Sequence, residues 1–198
     1  RKLSRFPQYS IIVENLEVKG GIFADYFLTL QLATFSGSRV NGVDTLIYNE
    51  DKKKYEVSES VFARYENYLG MVVASKSLDG STTNSRQAYP NGYQYVGNAG
   101  YGSWGAGGFW QFYGQYAFMS HMMGGWGVNR NDYGNYHRDR GRGSPYYGPV
   151  NNGRQTFGSN GLQTEKSRPN FYKRHKQRSA SGRGSTRAGG SSRWGRGK

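Results

Sequence analysis

The chain has 198 residues, of which 35% are hydrophobic and 30 are glycine, and its mean hydropathy is -0.84. Ordinary domains are ~45–50% apolar, so a single compact core through the whole length is not expected. A formal charge of +14, from 27 Lys and Arg against 13 Asp and Glu, predicts attraction to polyanions, and the absence of cysteine excludes a disulfide framework, a thiolate metal site and a cysteine nucleophile.

Charge is unevenly distributed. Residues 1–100 carry 11 basic and 10 acidic side chains, whereas residues 101–198 carry 16 and 3. From Lys166 to Lys198 there are 11 basic residues and no acidic one, a block that repels itself. Beyond residue 100 the branched aliphatics are Val128, Val150 and Leu162, little to offset a backbone ordering cost of ~1–2 kcal/mol per residue. The expected organisation is a small α+β domain over 1–80, with an antiparallel sheet and one helix. A Gly/Tyr/Asn-rich irregular arm follows over 81–165, and a disordered Arg/Gly/Ser-rich tail over 166–198. No apolar run reaches the length of a spanning helix, and an opening on Arg1 rather than Met leaves room for an upstream signal, anchor or domain.

In chain order, Tyr9 to Leu16 is an expected strand. Asp25 to Phe35 alternates Tyr26, Leu28, Leu30 and Leu32 against Phe27, Thr29, Gln31 and Ala33, the period of a half-buried strand. Asn41-Gly42 signals a turn, and Asp44 to Tyr48 is the next strand. Asn49 to Lys52 predicts a polar turn of a hairpin closed by Lys54 to Val57. Ser58 is the expected cap of a helix carrying Val61, Phe62, Tyr65, Tyr68 and Leu69 on one face and stopped by Gly70. Met71 to Ala74 is a last strand, and Leu78-Asp79-Gly80 closes the unit.

Dense glycine from Ala88 onward predicts loops. Within them lies an aromatic island, residues 108–126. On a helix Phe109, Phe112, Tyr113, Tyr116 and Met119 would form one stripe. Phe109, Trp110, Phe112, Tyr113, Tyr116 and Met119 are thus candidates for docking on a protein partner or for peripheral membrane contact, with burial against the chain itself the competing expectation. The absence of Lys and Arg from Gly100 to Val128 weighs against the membrane version.

The tail carries the strongest signal. Arg174, Arg178, Arg183, Arg187, Arg193 and Arg196 are candidate phosphate contacts, because guanidinium groups bind phosphate bidentately. Tyr172 and Trp194 are candidate stacking residues for bases. In composition the tail resembles the arginine–glycine tails of RNA-binding proteins, without their RGG triplets. Around Asn129 to Tyr147, rings alternate with arginine in a pattern suited to weak association.

Catalytic and metal signals are sparse. Gly100 to Gly105 matches G-x-G-x-x-G but lacks the flanking strand, helix and acidic residue that nucleotide binding needs. Met119, His121, Met122 and Met123 supply soft ligands and Asp132, His137 and Asp139 harder ones, without a second cluster to complete a sphere. His137-Arg138-Asp139 lacks the other kinase signatures. The expectation is a non-catalytic binding or scaffolding protein with no cofactor, metal or small-molecule substrate, whose partner is nucleic acid or another polyanion. The alternative is a structural component of a cell envelope or large assembly.

Overall fold

A computed structural model describes residues 3–20, 23–40, 43–77 and 80–185, with backbone alone for 36–40, 43–47 and 181–185. The architecture is mixed α+β around one antiparallel sheet. Strands β1 (Gln8–Lys19), β2 (Asp25–Val40), β3 (Val43–Val57), β4 (Met71–Lys76), β5 (Thr82–Thr83) and β6 (Tyr89–Pro90) run in the order β3-β2-β1-β4-β5, with β6 also on β4. The expected turn at Asn41-Gly42 lies outside the described residues, although Val40 and Val43 on either side are paired. The second expected hairpin is absent. Strand β3 runs straight through Asn49 to Lys52, each residue paired to β2, because polar side chains are tolerated on an edge strand facing water. There Lys52 meets Glu14 at 3.0 Å and Lys54 meets Glu17 at 2.5 Å.

One face of the sheet carries the expected strands and a helix, the helix shorter than expected and joined in its core by Ala88 and Phe171 from the later chain. A bulge between Val13 and Asn15 shifts the register, so Val13 and Leu16 both point to the side where Leu28 and Leu30 lie. Helix α1 (Glu59–Tyr65) covers this side, capped by Ser58, whose Oγ accepts from Val61 N at 3.4 Å. It ends at Tyr65, short of Gly70. Leu69 instead leaves the helix to bridge Val13, and Gly70 takes φ +75° before β4. Phe62 and Leu69 are buried, each removal from water being favourable by ~1.5–3 kcal/mol.

The other face is covered by the segment expected to be irregular. Ile12, Ala33 and Val72 share one core cluster with Tyr89, Tyr93, Val96, Trp110, Met123, Val128, Tyr136, Tyr146 and Phe157, so packing runs across residue 80. Rings replace the missing aliphatics. Tyr93 stands edge-on to Tyr136, Tyr146 and Phe157 at 5.6, 5.4 and 6.3 Å, each such pair contributing ~0.5–1.5 kcal/mol beyond its area. Polar strand residues on this face receive tyrosine and amide donors: Tyr101 Oη donates to Gln8 at 3.2 Å and Gln94 Nε2 to Ser10 at 2.9 Å. Strand β2 is therefore buried on both sides around Gln31 to Phe35 instead of half-buried.

This segment contributes the hairpin β7 (Gly102–Trp104) and β8 (Trp110–Phe112), helix α2 (Phe118–Met122), helix α3 (Arg130–Gly141), and the hairpin β9 (Val150–Asn151) and β10 (Arg154–Gln155). Helix α3 opens on a reciprocal cap: Asn129 Oδ1 accepts from Asp132 N at 2.9 Å while Asp132 Oδ2 accepts from Asn129 N. Helices α4 (Leu162–Ser167) and α5 (Pro169–Ser185) follow. The described part of the expected disordered tail is thus helical, because Phe171 and His175, one turn apart, are both buried beneath it.

Candidate functional site

Helix α5 starts at Pro169, whose fixed φ suits a first helical position, and Lys and Arg propagate it well. Phe171, His175 and Arg178 recur at i, i+4 and i+7, placing them on the side that meets the body. Phe171 joins the core under α1, and the Arg178 guanidinium lies 5.7 Å from the Phe62 ring. Lys173, Arg174 and Lys176 are exposed, and no described carboxylate forms an ion pair with any of them. With Lys166 just upstream they form a basic surface.

Neighbouring cations are spoken for. Arg154 meets Glu165 at 2.7 Å and donates to Tyr172 Oη at 2.9 Å. Tyr172 is further flanked by the Lys176 ammonium, 5.7 Å from its ring. Arg168 ties the α4–α5 junction to the bulge of β1, donating to Glu14 O at 3.1 Å and Asn15 Oδ1 at 3.2 Å.

The sequence-selected polyanion residues therefore have different fates. Arg174 and Arg178 are both exposed on α5, the latter with its guanidinium against Phe62, and Tyr172 is clasped by Arg154. Arg183 lies in the span of α5 with its side chain outside the described residues, as are Arg187, Arg193, Trp194 and Arg196 altogether. Lys173 and Lys176, absent from the sequence-selected set, stand beside Arg174. Their signal was helical spacing relative to Phe171 and His175, hidden in a run that reads as uniformly basic.

Between α1 and α5 opens a groove of 730 Å³ whose lining includes Tyr26, Glu59, Phe62, Glu66 and Arg178. His175 lies fully buried beside it. Its Nδ1 pairs with Asn160 Oδ1 at 3.2 Å, its ring stacks on Phe171 at 5.7 Å, and burial together with the Arg178 charge holds its pKa below the ordinary imidazole value. Ser159, also buried, is used structurally: its hydroxyl donates to Glu66 O and accepts from Leu69 N at 3.2 Å.

A second cleft of 400 Å³ is lined by Asp132, Asn135, Asp139, Tyr146 and Gln155 among others. Burial raises the pKa of Asp132 and drives that of Tyr146 far up. His137 packs edge-on against Tyr133 at 4.3 Å, and burial lowers its pKa.

The aromatic island is not one helix but β8, a 3₁₀ turn over 114–116 and α2, because its glycines permit turns where a helical stripe would need continuity. Trp110 and Met119 are buried, Phe112 and Tyr116 half-buried, and Phe109 and Tyr113 are 50% and 45% exposed. Met119 and Met122 sit with Phe35, Tyr95 and Tyr101, while Met123 belongs to a different cluster. Among the described residues no three His, Asp or Glu side chains gather to hold a metal, and no helix is long and apolar enough to cross a membrane. No protein-family description matches the chain, and neither a curated protein nor a solved structure matches it.

Proposed function

We propose that the protein is a non-catalytic polyanion-binding module in which the basic surface of α5 and its basic continuation meet a phosphate backbone, most simply that of nucleic acid. The observation that carries this is the exposed set Lys173, Arg174 and Lys176 without carboxylate partners, in a stretch from Lys166 to Lys198 free of acidic residues. Burial of Phe171 and His175 fixes which side of the helix turns outward, so the three cations keep their spacing before any partner arrives. Such preorganisation reduces the ordering cost of binding.

Fluorescence anisotropy of a labelled single-stranded RNA across a salt series tests the reading. The slope of log K against log salt should be about −0.7 for each phosphate neutralised. Replacing Lys173, Arg174 and Lys176 together by Glu should weaken binding and flatten that slope while leaving thermal unfolding unchanged. A slope near zero in the unmodified protein overturns the proposal, and stronger binding to anionic vesicles than to RNA at matched salt reassigns the polyanion.

The alternative, assembly docking through the aromatic island, draws support from the exposure of Phe109 and Tyr113. Replacing both by Ser would abolish such docking without altering the salt slope.

A further inference from the structure

Strand β3 pairs with β2 along its whole length, from Tyr26↔Val57 to Val40↔Val43, and no other described strand pairs with it. Every second residue of β3 therefore turns its N–H and C=O away from β2, and Asn49 to Glu56 are all exposed. A free edge this long is a template for another strand, and lysines on an edge usually deter indiscriminate pairing. Here a carboxylate pair, Glu50-Asp51, directly precedes three lysines, Lys52 to Lys54, an order that selects one register.

We propose that the β3 edge pairs antiparallel with the β3 edge of a second copy of this chain, about a two-fold axis through Lys52. An axis perpendicular to the sheet keeps each face on its own side, and side chains alternate faces with period two. Opposed residues must therefore share a face, so the axis passes through a residue and not between two. Centred on Lys52, Glu50 opposes the partner's Lys54, which also holds its own Glu17, and Asp51 opposes the partner's Lys53. Symmetry repeats both contacts, giving four opposite-charge pairs. The one like pair, Lys52 with the partner's Lys52, is relieved because each lysine already holds its own Glu14 at 3.0 Å. Moving the axis to Asp51 leaves two opposite-charge pairs, Glu50 with the partner's Lys52 and its repeat, but opposes two aspartates and sets Lys53 against Asn49. Moving it to Lys53 opposes Glu50 to Glu56 and Lys52 to Lys54. Cross-strand charge pairing is thus best satisfied in the Lys52 register.

The inference is independent of the polyanion proposal, since the edge and helix α5 share no residues. Sedimentation velocity of the full chain tests it, with twice the 22.2 kDa chain mass expected. The protein has no cysteine, so Lys52→Cys introduces a single thiol. Opposed Cα atoms in an antiparallel pair lie about 4.5–5.5 Å apart, within disulfide range, so mild oxidation should link the Lys52→Cys dimer. Lys54→Cys, opposed to Glu50, should link at least tenfold more slowly. Lys53→Asp combined with Lys54→Glu makes all four pairs repulsive and should yield a monomer, and adding Glu50→Lys and Asp51→Lys should restore the dimer. A monomer for the unmodified chain, equal crosslinking of the two cysteine variants, or a dimer that survives the charge reversal would each overturn the proposal.

Discussion

Tyr89 donates its hydroxyl to Ser75 Oγ at 2.7 Å, and Ser75 in turn meets Thr83 Oγ1 at 2.7 Å, all three residues being buried. The ring of Tyr89 meanwhile stands edge-on to Tyr136 at 5.3 Å. One residue thus joins sheet hydrogen bonding to the aromatic layer above it. Tyr89→Phe keeps the ring, and Ser75 keeps Thr83, so the expected loss is about 1 kcal/mol. Tyr89→Ala also empties the ring's volume and should cost ~3–5 kcal/mol. Midpoints of urea unfolding for the two variants would separate the hydroxyl from the ring.

The tyrosine layer also dictates behaviour in alkali. Burial pushes the Tyr89 pKa up to about 12 from an ordinary 10.0, and raises those of Tyr93, Tyr95, Tyr136 and Tyr146 further. The unfolded chain releases these protons near pH 10, the folded chain only above it. Stability from these residues is therefore full below pH 10 and is lost as pH rises beyond it. An ultraviolet titration should show the exposed tyrosines ionising first and reversibly, then a steep step coinciding with loss of near-ultraviolet dichroism. A single smooth titration of all 17 tyrosines would contradict this packing.

The same contacts explain what the sequence could and could not disclose. Strands β1, β2 and β4 and the Ser58 cap were legible because their signals are local: alternation, β-branching and a cap one residue before the helix. The second layer was not. Tyr89, Gln94 and Tyr101 sit in a Gly- and Asn-rich segment, and nothing in their own neighbourhood says that Ser75 on β4 and Ser10 and Gln8 on β1 await donors. Two polar positions at the start of β1, Gln8 and Ser10, accept hydrogen bonds from the layer above. On α5 the basic character was visible, but the facing was not, since that depends on a core into which Phe171 and His175 fit. The straight course of β3 was missed because Asn49 to Lys52 has turn composition, while the pairing that overrides it comes from β2.

His175 makes the attachment of α5 sensitive to acid. Its imidazole is buried, faces Phe171 and Asn160, and lies near the Arg178 and Lys176 charges of its own helix, with the Glu66 backbone on the α1 side. With a folded-state pKa below 6.5, the unfolded state binds the proton more readily. The stabilisation is therefore complete above pH 6.5 and falls away as pH drops through and below that value. His137, lowered in the same direction on α3, adds to the effect. Between neutral and mildly acidic pH, amide exchange along α5, measured relative to the intrinsic rate at each pH, should accelerate before exchange in β1 and β2. His175→Phe, which keeps a ring against Phe171, should remove that selective acceleration. If exchange in α5 of this variant keeps its pH dependence, His175 does not anchor the helix.

Gly158 stands where a close approach and a left-handed backbone coincide. Its φ is +82°, and a Cβ there would lie 2.8 Å from Asn67 O and 2.8 Å from the Tyr147 ring. Next to it Ser159 holds Glu66 O and Leu69 N, the two ends of the link between α1 and β4. Gly153, with φ +74° and open space around it, carries the backbone requirement alone. Gly153→Ala should therefore cost about 1 kcal/mol, the left-handed penalty for a residue with a Cβ. Gly158→Ala should cost that and more, roughly 2–4 kcal/mol, because either Tyr147 or the Asn67 backbone must move. The displacement would carry Ser159 with it, so amide exchange at Leu69 should quicken in Gly158→Ala and stay unchanged in Gly153→Ala. Equal destabilisation by the two substitutions would show that the approach to Asn67 and Tyr147 does not constrain this turn.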